Sequence, residues 1–161
     1  MDVSKIDDTE LSFDIAGIQK CQCNRHPLLF IDKVDQVVPL KSARGKKRFT
    51  FNEWFFPAHY EDDPNVPGFI QVESLVQTFI MTFLCIDENH GKKTSFVKMD
   101  NVSYRRKIIP GDTLIINATL KRFKRGIATG GAVSYVDGEI ACSADFIVAV
   151  PDILDSYKPS S

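Results

Sequence analysis

His59 precedes Glu73 by fourteen residues, across the run Pro57-Ala58-His59-Tyr60-Glu61-Asp62-Asp63-Pro64-Asn65-Val66-Pro67-Gly68-Phe69-Ile70-Gln71-Val72-Glu73. Histidine exchanges protons readily near neutral pH. A carboxylate set in apolar sequence must be paired, hydrogen-bonded or kept neutral, because burying an unpaired charge is costly or raises the pKa. Together they could supply a general base and a general acid. Between them, Pro67-Gly68 fits a helix start, where glycine admits a ligand close to unpaired backbone N–H groups that attract an anion or a carbonyl oxygen. Each residue also has a plainer reading. His59, beside Trp54, Phe55, Phe56 and Pro57, could be a packed or capping side chain, and Glu73 could share a solvent-facing stripe with Gln71 and Gln77. The combination favours chemistry.

Positioning such a pair requires a scaffold. From Pro67 onward, Phe69, Ile70, Val72, Leu75, Val76, Phe79, Ile80, Met81, Phe83 and Leu84 are apolar nearly all round a 3.6-residue wheel, which predicts a buried central helix with Glu73 in its second turn. Upstream, the pattern predicts a short helix near Phe13 to Lys20, strands near Phe30 to Val38 and Arg44 to Phe51, and a loop carrying His59. Downstream it predicts strands over 94–104, 112–123, 127–136 and 139–149, rich in β-branched and aromatic residues. Turns are expected at Pro110-Gly111-Asp112, Arg125-Gly126 and Asp137-Gly138, the last being the strongest hairpin signal. One apolar helix followed by antiparallel strands predicts an α+β domain with the sheet wrapped around the helix.

The chain has 161 residues, 43% of them hydrophobic, and a formal net charge of −1. This suits one domain and gives no global reason to expect nucleic-acid or membrane partners. No apolar run reaches the roughly 18 residues of a membrane span, because Gln71, Glu73, Gln77 and Thr78 interrupt the richest segment. Met1 to Asp8 lacks a basic start followed by an apolar core, so the cytoplasm is the expected location. Cys21, Cys23, Cys85 and Cys142 are expected to be reduced. Cys21-x-Cys23-x-x-His26 offers three metal ligands, but more tightly spaced than usual zinc pairs and with no second cluster, so a packed loop is favoured and no metal is expected.

The run His59, Pro64, Pro67-Gly68, Glu73, Gln77 resembles the signature of the FabZ-type (3R)-hydroxyacyl-[acyl carrier protein] dehydratases, roughly Gly-His-Phe-Pro-x-x-Pro-x-x-Pro-Gly followed by a helix with Glu and then Gln. The likeness extends to Arg25-His26-Pro27-Leu28-Leu29-Phe30-Ile31-Asp32-Lys33-Val34, Tyr104-Arg105-Arg106-Lys107-Ile108-Ile109-Pro110-Gly111-Asp112 and Val136-Asp137-Gly138-Glu139-Ile140-Ala141-Cys142, covering about residues 25–150. It divides the chain into an N-terminal extension (1–24) with a short helix, a single domain (25–150) and a polar tail (151–161). Ala58 and Tyr60-Glu61 depart from the pattern, leaving an acidic patch at Glu61, Asp62 and Asp63 and suggesting a specialised relative.

The resemblance implies a hotdog fold, a homodimer or trimer of dimers, and sites that take His59 from one subunit and Glu73 from the other. It implies dehydration of a hydroxyacyl thioester on acyl carrier protein or coenzyme A, without a cofactor. His59 and Glu73 would be the acid/base pair, the Gly68 N–H would polarise the thioester carbonyl, and Gln77 would support the carboxylate. Glutamate at 73, rather than aspartate, resembles the branch that dehydrates without isomerising. Phe79, Phe83 and Phe96 are candidates to line an acyl tunnel, and plain core is the alternative. Arg105, Arg106 and Lys107, with Lys121, Arg122, Lys124 and Arg125, could dock an acidic carrier or simply protect a sheet edge. A hotdog acyl thioesterase, an enoyl hydratase and a non-catalytic acyl-binding subunit remain alternatives.

Overall fold

The computed structural model describes residues 10–157; Met1 to Asp8, on which the expectation about a leader rests, and the last four residues of the tail lie outside them. The elements run β1 (Leu11–Phe13), α1 (Ile15–Cys21), β2 (Lys33–Val38), β3 (Ser42–Arg48), α2 (Phe55–His59), α3 (Gly68–Leu84), a 3-10 turn (Asp87–Asn89), β4 (Ser95–Tyr104), β5 (Thr113–Lys124), β6 (Ile127–Val136), β7 (Glu139–Ala149) and α4 (Pro151–Asp155). One seven-stranded antiparallel sheet, in the order β1-β2-β3-β5-β6-β7-β4, wraps α3. This is the hotdog arrangement.

Fourteen of the seventeen residues of α3 are buried. Its hydroxyl side chains are hidden by bonding within the helix: the Ser74 hydroxyl donates to the Ile70 carbonyl (2.9 Å), Thr78 to Ser74 (3.0 Å) and Thr82 to Phe79 (2.7 Å). Hydroxyls that satisfy themselves in this way can be buried without an orphaned donor. The sheet meets the helix with small side chains, including Ala43, Gly45, Ala118, Ala128, Gly130, Ala132 and Ala144. Strands β5 to β7 follow the expected boundaries because left-handed pairs close their hairpins. Arg125 and Gly126 have φ of 50° and 77°, and Asp137 and Gly138 have 51° and 82°, matching two-residue turns that follow the strand twist.

The first half differs from expectation. β2 starts at Lys33 rather than Phe30, because the Phe30 N–H donates to the Gln77 side chain rather than to a strand. β3 begins earlier than expected, after a turn with Leu40 at φ 59°. Residues 11–13 form β1, paired with β2, and Ile18 and Cys21 of α1 lie in the core, so residues 11–21 belong to the same sheet and core as the rest. After Val150, α4 packs Ile153 against the core. No helix among the described residues is long and apolar enough to cross a membrane.

Gly45 fixes how closely α3 lies on the sheet. A methyl group there would fall on the Thr78 hydroxyl and within 2.8 Å of its methyl carbon. Gly45→Ala is expected to cost about 1–3 kcal/mol through overpacking, read as a lower urea midpoint; an unchanged midpoint would refute this role.

Candidate active site

His59 is the last residue of α2, not part of a loop. Phe55 and Phe56 are buried and anchor the short helix, with Phe55 packed against Phe30 and Phe49 at ring centroid distances of 6.4 and 5.9 Å. The approach to α2 is tied down by Lys47, a largely buried cation 2.7 Å from Glu53 and 3.3 Å from Asp32. His59 Nδ1 lies 3.0 Å from the Asn65 carbonyl oxygen. A carbonyl can only accept, so Nδ1 carries the proton and Nε2 is left as the basic nitrogen. Tyr60 lies against the imidazole, ring centroids 4.1 Å apart.

Glu73 is half-buried in the second turn of α3. Its Oε1 accepts from Gln77 Nε2 at 2.8 Å and from Asn24 Nδ2 at 3.3 Å. Gln77, itself fully buried, also donates to the Leu28 carbonyl (2.7 Å) and accepts from the Phe30 N–H (2.7 Å). Burial pushes the Glu73 carboxyl above its ordinary range, partly countered by the bonds from Gln77 and Asn24. The folded chain therefore holds this proton more tightly than the unfolded chain. The resulting stability is complete below the unfolded pKa and is lost as pH rises through the higher folded value. Glu73→Gln removes the titration, so urea midpoints measured from about pH 4 to pH 8 should fall less with rising pH than in the wild type. Parallel profiles would show that this carboxyl is not held neutral.

The head of α3 is open. Ile70 and Gln71 donate their N–H groups to the Pro67 carbonyl, while Gly68 and Phe69, among the described residues, have no backbone acceptor. Gly68 lines the same cavity as His59, Tyr104 and Arg105, about 500 Å³. Glu73 opens instead into two adjoining cavities of about 480 and 640 Å³, which share Asn24, Leu28 and Phe96; the larger runs on to Val76, Ile80 and Leu84. Within one chain, then, His59 and Glu73 do not share a cavity.

Phe96 stands in the walls of both Glu73 cavities. Phe79 and Phe83 do not: both are fully buried, Phe79 against Phe146 (5.7 Å) and Phe83 stacked on Phe123 (4.9 Å), because that side of α3 faces the sheet. Arg105, Arg106 and Lys107 flank the His59 cavity, with Arg106 bonded to Glu139 and Lys107 to Asp63. The second basic run is separated from the first. Lys121, Arg122 and Lys124 lie toward the far end of β5, and Arg125 in the turn beyond it, with Lys121 paired with Asp145 and Arg125 over the Tyr157 ring. From Thr113 to Lys121 the strand advances about 27 Å at ~3.4 Å per residue, so the two runs do not form one surface around His59. Cys21 is buried, Cys23 is exposed with its thiol on the Gly91 carbonyl, and among the described residues no group of three His, Cys, Asp or Glu side chains is arranged to hold a metal. Asn24 and Asn65, the polar partners of Glu73 and His59, escaped the sequence reading. Neither sits in a periodic pattern, and only the fold brings Asn24 to a residue 49 positions away.

The family model for the FabA-like domain matches residues 23–145. The 3-hydroxyacyl-[acyl-carrier-protein] dehydratase FabZ of Clostridium novyi is 36% identical over 140 residues, 87% of this chain and 99% of that protein. That of Oenococcus oeni is 39% identical over 133 residues, 83% of this chain and 96% of that protein. Among solved structures, the dehydratase heterocomplex ApeI:P from Xenorhabdus doucetiae superposes with a TM-score of 0.72 at 11% identity, covering 83% of this chain and 90% of that one, a likeness of fold. A motif shared at the level of four sequence blocks, a sheet-wrapped helix carrying the glutamate, and this extent of identity place the chain in the FabA-like family, alongside the FabZ 3-hydroxyacyl-[acyl-carrier-protein] dehydratases.

Proposed function

We propose that the chain removes water from a (3R)-hydroxyacyl thioester on acyl carrier protein to give a trans-2-enoyl thioester, at a site completed by a second copy. The observation that carries this reading is an acid biased toward its protonated form and opening into acyl-sized, largely apolar cavities, in a chain 36–39% identical to FabZ dehydratases. His59 Nε2 takes the C2 proton, and the electron pair moves through the C1–C2 bond to the thioester oxygen, which the Gly68 N–H receives at the positive end of α3. As the carbonyl re-forms, the pair becomes the C2=C3 bond and the C3–O bond breaks. The hydroxyl departs as water with the Glu73 proton. His59 ends with one proton more and Glu73 with one fewer, and exchange with solvent restores both.

Support for a second copy comes from β4. It is an edge strand ten residues long, with Phe96, Val97, Met99, Val102 and Tyr104 all exposed. A long apolar edge is a template for pairing with another chain, and pairing there would cover the β4 residues that wall both the His59 and the Glu73 cavities. The test is to follow the enone absorbance of a 3-hydroxybutyryl thioester on carrier protein while assaying free thiol. Appearance of the enone without thiol supports dehydration; thiol release marks a thioesterase, and binding without conversion a non-catalytic subunit.

The carrier is assigned to the face beside His59, because Arg105 is exposed there without an ion-pair partner among the described residues. Arg105→Glu is expected to raise KM for the carrier-borne substrate several-fold and leave KM for the pantetheine thioester unchanged. Equal KM changes on both substrates would remove the carrier from this face.

A further inference from the structure

Tyr104, the last residue of β4, rests its phenol on the bare Cα of Gly68. A methyl group built on Gly68 would come within 2.9 Å of Tyr104 Cζ and 3.0 Å of Oη. The hydroxyl therefore stands at the head of α3, in the cavity that also holds His59 and Gly68. Among the described residues, Tyr104 is the one common to the walls of the His59 cavity and the smaller Glu73 cavity. In the single chain half of its surface is exposed, so the ring does not fill that chain's own core, and its Oη bonds to no protein group among the described residues.

We propose that Tyr104 is a catalytic residue, its O–H donating to the thioester oxygen beside the Gly68 N–H, an assignment that rests on the dehydratase reading above. An oxygen close enough to accept from Gly68 N–H approaches the phenol resting on the same residue. When His59 takes the C2 proton and the electron pair arrives on the thioester oxygen, two donors meet the charge instead of one. The phenol keeps its own proton throughout: it donates a hydrogen bond and transfers nothing, so the acid/base balance between His59 and Glu73 is unchanged. Burial, with a contribution from Cys142, pushes the phenol pKa upward, which keeps the hydroxyl a donor at neutral pH. Gly68 then has a second reason to lack a side chain. A Cβ there would displace the phenol as well as crowd the ligand.

Tyr104→Phe keeps the ring on Gly68 and removes only the donor. Turnover of 3-hydroxybutyryl pantetheine should fall about tenfold to a hundredfold in kcat, with KM nearly unchanged, in keeping with the loss of one oxyanion donor at a half-exposed site. A purely structural role would not alter the bound carbonyl, so its infrared stretch is measured with crotonyl pantetheine on both proteins. The stretch should lie at lower wavenumber on the wild type and move back toward the free value on the variant. A kcat within about twofold of wild type, or a carbonyl stretch the same on both proteins, overturns the assignment. The infrared measurement needs binding alone, so it decides the role of Tyr104 even if the product assay shows thioester hydrolysis instead of dehydration.

Discussion

Replacing His59 with alanine should lower kcat for dehydration by about 10²–10⁴, the usual contribution of a positioned general base, with little change in the urea midpoint. The imidazole hangs from the end of α2 through one hydrogen bond to the Asn65 carbonyl, while the anchoring of the helix comes from Phe55 and Phe56. Removing the ring should therefore take away chemistry and leave the fold. Glu73→Gln should cause a loss of the same order. It retains the length and polarity of the side chain but cannot hand a proton to the departing hydroxyl. The enone assay on both variants measures this, and a variant retaining more than about a tenth of wild-type kcat would exclude that residue from proton transfer.

Co-refolding equal amounts of the His59→Ala and Glu73→Gln chains gives the second large effect. Neither protein should turn over alone, but the mixture should recover about a quarter of wild-type activity. With random pairing about half of the dimers contain one chain of each kind, and each of these has one intact site of two. The expectation rests on two facts: His59 and Glu73 open into different cavities of one chain, and the strand bordering both, β4, exposes large apolar side chains and, among the described residues, has no strand along its outer edge. Activity no higher than that of the separate variants would mean that a chain works with its own pair.

Much of this arrangement is legible in the residues. α3 announces itself because its apolar positions surround the wheel, and β5 to β7 are delimited by Arg125-Gly126 and Asp137-Gly138, whose left-handed conformations are a local property. The parts that escaped depend on distant partners. Leu11 to Phe13 is too short to carry a period, and it is a strand only because Val34 and Val37 lie beside it. α2 has five residues, one of them Pro57, and is held by an aromatic cluster assembled from Phe30 and Phe49. Gln77 could be related to Glu73 by one helical turn, but its bonds to Leu28 and Phe30 span 49 and 47 positions. A helix apolar on every side also conceals which face meets a cavity. That is why Phe79 and Phe83 could be read as facing a cavity when Val76, Ile80 and Leu84 are the residues of α3 that line the larger one beside Glu73.

The Gln77 amide carries a geometric consequence. Its oxygen is committed to the Phe30 N–H and its nitrogen to the Leu28 carbonyl and Glu73 Oε1, so it cannot be turned over without breaking all three bonds. Oε1 already receives N–H groups from Gln77 and Asn24, and an oxygen occupied by two donors does not hold the acidic proton. In the proposed reaction the Glu73 proton is therefore carried on Oε2. That proton reaches the C3 hydroxyl from one direction, held through Gln77 by a main-chain N–H on the loop ahead of β2.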